Sequence, residues 1–146
     1  AQESRGLGDV YKRQGWSWPV KGKVLMKFSM TDAVYFKTLA QYRCNPALII
    51  GGKVGQHVKT AAAGEVLSVS KNDETGKTVT MNIGNGYTLT YGQLKAVSVK
   101  EGDELKAGET IGKLAAPSTA YTEEGCNLYF KVEQNGTAVD PLLLLD

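Results

Sequence analysis

Asn127 and Tyr129 stand two residues apart within Gly125-Cys126-Asn127-Leu128-Tyr129-Phe130-Lys131-Val132, a run that reads as a strand. Strand alternation sends both side chains to one face, the placement two groups need to act on one ligand. A hydrolytic metal centre would ask for imidazoles or carboxylates there, with an open position for water. An amide and a phenol are poor substitutes. The chain's single histidine, His57, lies outside this run and reads as an exposed residue of a turn beside Gly55. Glu123 and Glu124 are adjacent loop carboxylates, a spacing that suits solvation better than convergence on a substrate. Cys44 directly precedes Asn45 and Cys126 directly precedes Asn127, and two separate buried thiols are the plain reading of that pair.

The elements that must position these residues are mostly strands. Gly64 to Ser70 alternates with period two, Asn72-Asp73-Glu74-Thr75-Gly76 is a polar turn, and Thr78 to Ile83 is the returning strand. Gly84-Asn85-Gly86 supplies hairpin chemistry, because positive φ is cheap there, and Tyr87 to Tyr91 follows as a strand. Val99 to Gly108 pairs two turns around a brief apolar step. Thr110 to Leu114 and Asn127 to Glu133 close the set, with Asn135-Gly136 as a further turn. Near the start, Trp16-Ser17-Trp18-Pro19 suits an extended segment laid across a sheet, and Lys23 to Phe28 a short strand. Between Thr31 and Arg43 the spacing of Tyr35, Phe36, Leu39 and Tyr42 predicts one or two helical turns.

At 146 residues the chain is long enough for one domain with a proper core. Hydrophobic residues make up 42% and charged residues 22%, which excludes a disordered chain. A net charge of +2 with dispersed lysines gives no electrostatic case for nucleic acid. Seventeen glycines beside β-branched runs favour a turn-dense β fold. No apolar run approaches the roughly 20 residues that span a bilayer, and Leu142 to Leu145 suits core packing. Asp9 to Gln14 resembles the translated end of a transposase adapter, so residues 1–14 are expected to be a non-native tail before a domain at 15–146. Without Arg5, Lys12, Arg13, Glu3 and Asp9, 14 basic and 13 acidic residues remain.

From Gly55 to Pro141 the segments resemble the lysostaphin/LytM-type peptidoglycan metalloendopeptidases. Val58 with Gly64-Glu65-Val66 is similar to that family's hairpin after the first metal loop, and Gly84-Asn85-Gly86-Tyr87 to its Gly-Asn-Gly-Tyr turn. Tyr91-Gly92-Gln93-Leu94 stands where the family has Tyr-Ala-His-Leu. Val99-Lys100-Glu101-Gly102-Asp103 with Gly108 and Ile111-Gly112, then Asn135-Gly136 and Asp140-Pro141, continue the pattern. The resemblance implies a compact, mostly β, antiparallel fold with a duplicated hybrid motif and little helix. It places the family's first motif, His-x-x-x-Asp, on Asn45 and Ile49, its assisting histidine on Gln93, and its His-x-His strand on Asn127 and Tyr129. Asn45, Ile49 and Tyr129 are therefore vestigial metal positions, and Gln93 and Asn127 vestigial catalytic ones. No metal, cofactor or zinc hydrolysis is expected.

The resemblance also sets further expectations. Tyr91, Gln93, Asn127 and Tyr129 would line the vestigial groove, either keeping glycan or peptide contacts or filling the space left by zinc. Because the family's loop and strand converge on one metal, a Cys44–Cys126 disulfide is open beside two separate thiols. Thr90 to Val99 and the acidic loop Tyr121-Thr122-Glu123-Glu124-Gly125 are similar to the sporulation branch of the family. That branch implies a non-catalytic, extracytoplasmic interaction module, its membrane anchor upstream. Its partner would be another envelope protein such as a stage III sporulation AH-like protein, with peptidoglycan a further ligand. Activators of cell-wall amidases are also degenerate, so they remain an alternative, as does a zinc endopeptidase with unorthodox ligands. Val99–Gly112 resembles the hairpin of biotinyl carriers as well, but Lys71 and Lys77 flank a tip that lacks the carrier motif.

Overall fold

The strands follow one another through turns built on residues that accept positive φ. Asn85 and Gly86 (φ 56° and 80°) turn one hairpin, and Asn135 and Gly136 (φ 52° and 84°) another. The two tips touch: the Asn135 N–H donates to the Gly86 carbonyl at 2.8 Å. A Cβ on Gly86 would meet the Asn135 side chain, which would have to shift, and the positive φ favours glycine there in any case.

The computed structural model describes residues 16–146, so the expected tail at 1–14 lies outside the described residues. The strands are β1 (Val24–Met26), β2 (Ser29–Phe36), β3 (Gln41–Asn45), β4 (Leu48–Gly51), β5 (His57–Lys59) and β6 (Gly64–Asn72). They continue as β7 (Gly76–Gly84), β8 (Tyr87–Lys95), β9 (Glu104–Leu105), β10 (Thr110–Leu114), β11 (Asn127–Gln134) and β12 (Thr137–Val139). A 3-10 turn at Pro141–Leu143, capped by the Asp140 carboxylate on the Leu142 N–H, is the only helix among the described residues. No helix among them is long and apolar enough to cross a membrane.

Ten strands form one antiparallel sheet in the order β1-β4-β11-β8-β7-β6-β9, with β10 joining β5 to β8 and β12 beside β11. The expected mostly β, antiparallel architecture is the one observed. The main core lies on one side of β11 and β8. Leu128, Phe130 and Val132 meet Leu89 and Tyr91 there, together with Ile50, Val58 and Met81. Each such side chain contributes roughly 1.5–3 kcal/mol by leaving water. Trp16 closes this core in edge-to-face contact with Tyr87 at 5.1 Å, and Leu144 and Leu145 are buried beside it.

The helical expectation for Thr31–Arg43 is corrected. This segment is a hairpin, β2 paired with β3 in a sheet of its own. Tyr35 is the register partner of Tyr42, their rings 5.0 Å apart. Cross-strand pairing brings together the same residues that a helical spacing would, and the aromatic and β-branched Val34-Tyr35-Phe36 favours the strand.

Candidate functional site

β11 runs between β4 and β8, and Tyr129 and Phe130 are paired with both. Leu128, Phe130 and Val132 face the main core, and alternation turns Asn127, Tyr129 and Lys131 to the other side. Tyr129 is opposed in register by Ile49 on β4 and by Gly92 on β8. Two of the five sequence-predicted positions therefore meet directly. Ile49 and Tyr129 join Phe36, Ala47, Ala120 and Tyr121 in a second, smaller hydrophobic cluster. Phe36 comes from the β2–β3 hairpin, and its ring centre lies 6.4 Å from that of Tyr121.

The polar positions bind backbone. Asn45 is fully buried at the end of β3, donating to the Lys27 carbonyl at 2.8 Å and accepting from the Ala47 N–H at 3.3 Å. Gln93 accepts from the Ser118 N–H at 3.0 Å, and its own amide reaches Ser118 Oγ at 3.4 Å. It thereby pins the loop before β11. Asn127 donates to the Gly125 carbonyl at 2.6 Å, while its buried Oδ1 has no partner among the described residues.

A β-bulge explains how Gln93 reaches this side. Val79 pairs with Tyr91 and Lys77 with Leu94, so Gly92 and Gln93 together oppose Thr78 alone. Gln93 has φ 69°, and the bulge lets Tyr91 and Leu94 both enter the main core while Gln93 leaves it. Tyr91 is thus a correction to the expected groove lining. It is fully buried in the main core, its hydroxyl accepts from the Ala61 N–H at 3.0 Å, and its ring lies 5.3 Å from Phe130.

Electrostatics on the Tyr129 side favour neutral phenols. Burial pushes the Tyr129 phenol up to about 12, with Glu74 and Glu133 adding to the rise and Arg43 opposing it. Burial also raises Tyr121, and neighbouring Tyr129 and Glu74 reinforce that shift. Arg43 lies 4.9 Å from the centre of the Phe36 ring and pairs with Glu74 at 3.4 Å. Beyond Tyr129 a polar groove of about 260 Å³ opens, lined by Asn72, Glu74, Thr75, Thr78, Thr90 and Lys131.

Three further expectations change. Cys44 and Cys126 are separate free thiols, the plain reading and not the disulfide alternative, but Cys44 is exposed and not buried, its sulfur 3.6 Å from the Met30 carbonyl, and Cys126 donates to the Ala115 carbonyl at 3.3 Å. They precede the inward Asn45 and Asn127, so strand alternation turns them the other way. Glu124 is not a simply solvated loop carboxylate. Thr38 Oγ1 donates to it at 2.6 Å and accepts from the Glu123 N–H at 2.7 Å, clasping the loop to the hairpin. His57 is exposed as expected, but opens strand β5 rather than sitting in a turn. Phe36, Ala47 and Tyr121 were missed as site residues, because only the hairpin's fold brings them to Tyr129.

The zinc that the resemblance implies at this position does not suit the residues present. Ile49 has no donor atom, the Asn45 and Gln93 amides are held by backbone and Ser118, and Tyr129 resists ionisation. Among the described residues no group of three or more His, Cys, Asp or Glu is placed to hold a metal ion.

Comparison with known proteins fits this architecture. Stage II sporulation protein Q of Bacillus subtilis (strain 168) is 28% identical over 133 residues, covering 84% of this chain and 46% of that protein. Murein hydrolase activator NlpD of Salmonella dublin is 26% identical over 131 residues, covering 89% of this chain and 31% of that protein. A chain in the structure of the SpoIIQ–SpoIIIAH pore-forming complex superposes with a TM-score of 0.75 at 27% identity, covering 90% of both chains. The chain spans less than half the length of these curated relatives. The sequence model of Peptidase family M23 matches residues 44–141, two thirds of the chain, including β11 and both strands paired with Tyr129. The chain belongs to peptidase family M23.

Proposed function

We propose that this chain is a non-catalytic member of its family. In this reading it is a protein-interaction module of the bacterial cell envelope and part of a sporulation channel or scaffold, as stage II sporulation protein Q is. One observation carries the reading: Ile49 and Tyr129, directly opposed in register, are packed into a hydrophobic cluster with Phe36 and Tyr121. Hydrolysis at that position would need a metal-bound water and a base, and Gln93 and Asn127 have no lone pair of general-base strength. Similarity to a chain of the SpoIIQ–SpoIIIAH complex supports an envelope protein as partner, a stage III sporulation AH-like protein being the proposed one. The reading has the domain working outside the cytoplasm, as a membrane-anchored envelope protein.

Metal analysis of the purified protein, run beside a peptidoglycan digestion assay, tests this. Zinc well below one equivalent and no soluble muropeptides are expected, with retention of an AH-type protein on the immobilised chain. Stoichiometric zinc accompanied by cell-wall cleavage overturns the reading.

A second reading, an activator of cell-wall amidases that contacts peptidoglycan, is favoured by the likeness to murein hydrolase activator NlpD. The open polar groove beside Tyr129 offers hydroxyls and an ammonium for such contacts. Adding the protein to an amidase with purified peptidoglycan separates the two: acceleration supports the activator, and an unchanged rate the scaffold.

A further inference from the structure

Lys113 on β10 is the register partner of Lys95 on β8 and of His57 on β5. Directly opposed residues point to the same face with Cβ atoms about 5 Å apart, so three basic side chains form one row across three strands. Lys59, two residues along β5, joins them on that face. Leu94, Leu114 and Val58, their neighbours in sequence, point into the main core. Lys53, in the turn before β5, and Lys21 are both tied to Gln56 there: its side chain accepts from the Lys53 N–H and donates to the Lys21 carbonyl, each at 3.0 Å.

None of these lysines takes part in an ion pair among the described residues. Glu109, beside the partner of Lys59, has its carboxylate on the Lys106 N–H at 3.1 Å. Like charges placed opposite one another destabilise a sheet, and no ion pair among the described residues offsets that cost here. The domain without its tail is nearly neutral, so the row reflects segregation of charge and not excess. Acidic residues gather elsewhere, as in the opposed pair Glu65 and Glu104.

We propose that this face docks on the anionic headgroups of a phospholipid bilayer. The cations spread in two dimensions over the outer face of β5, β8 and β10, and Lys95 stands five residues along β8 from Thr90, which lines the polar groove. A flat array fits a flat anionic surface better than a polymer threading a cleft. Val54, about half exposed in the turn beside the row, adds an apolar contact at the interface. The proposal rests on the envelope setting argued above. Vesicle binding is read without zinc, hydrolysis or a partner protein, so either idea can fail alone.

The test is co-sedimentation of the whole chain with vesicles of phosphatidylglycerol and phosphatidylcholine, or of phosphatidylcholine alone. Binding is expected only to the anionic vesicles and is weakened by salt. Each lysine near an anionic surface strengthens binding roughly fivefold, so Lys95→Glu with Lys113→Glu should weaken it about 30-fold or more. Lys37→Glu with Lys100→Glu changes net charge equally at exposed sites away from the row, and should stay within about threefold. Should the first pair disturb folding, Lys113→Gln alone should still lose about fivefold. Equal losses in both double variants, binding to neutral vesicles, or capture by soluble polyphosphate without vesicle binding would each overturn the proposal.

Discussion

The two faces of β11 bury different chemistry. Toward the main core, Leu128, Phe130 and Val132 present hydrocarbon to hydrocarbon, and all three are fully enclosed. On the other side Asn127 and Tyr129 are almost as buried, yet one holds an unpaired oxygen and the other a phenol raised by desolvation. The first face is a packed core. The second keeps the enclosure of a site while its polar groups serve backbone and loops. That difference teaches that burial alone does not separate a hydrocarbon core from a polar enclosure; satisfaction of the buried polar atoms does.

The largest effects should come from the core face. Phe130→Ala removes a ring in contact with Tyr91 and should cost about 3–5 kcal/mol in urea denaturation. A cost below about 1 kcal/mol would erase the contrast between the faces. Ile49→Asp restores a carboxylate to the resembled metal position, but surrounds it with Ala47, Phe36 and Tyr129. About 3 kcal/mol of destabilisation is expected, and added zinc should not recover it, because one carboxylate among amides and phenols is no ligand set. Recovery with zinc would mean that the second face still works as a site.

The phenol gives a pH-dependent test. The unfolded chain releases the Tyr129 proton near pH 10, and the folded chain holds it to about 12. Between those values the unfolded state binds fewer protons, so the contribution is whole below pH 10 and lost as pH rises toward 12. Tyr129→Phe should flatten this alkaline loss by about 1–3 kcal/mol in chemical denaturation from pH 9 to 12. The rest of the loss should persist, because burial also raises Tyr91 and Tyr121. An unaltered slope would show the phenol to be solvated.

Much of the fold was legible because its turns are local chemistry. Asn85-Gly86 and Asn135-Gly136 announce their positive φ, and the strands between them alternate openly. The site was legible only as positions in a resemblance. Two kinds of information were hidden. The hairpin's Tyr35–Tyr42 contact is shared by helix and strand, so spacing could not choose between them. The resemblance put Tyr91 in the groove with Gln93, and the bulge opposite Thr78, which no local pattern announces, separates them. Long-range packing also decided that Phe36 and Tyr121 close the Tyr129 side, with Thr38 clasping Glu124 to hold the loop there.

The finest distinction lies between two buried asparagines. Asn45→Ala removes a donor to Lys27 and an acceptor for Ala47, leaving both backbone groups short of partners, and should cost about 2 kcal/mol beyond the lost volume. Asn127→Ala frees only the Gly125 carbonyl, and it also deletes an oxygen that was buried without a donor. These contributions oppose each other, so the net change should stay within about 1 kcal/mol. Both asparagines are fully buried, which makes the comparison one of hydrogen-bond satisfaction and not of exposure. If thermal and urea denaturation gave equal losses for the two variants, Asn127 Oδ1 would have a donor in solution. The second face of β11 would then be as well satisfied as the first, and the contrast between them would rest on residue type alone.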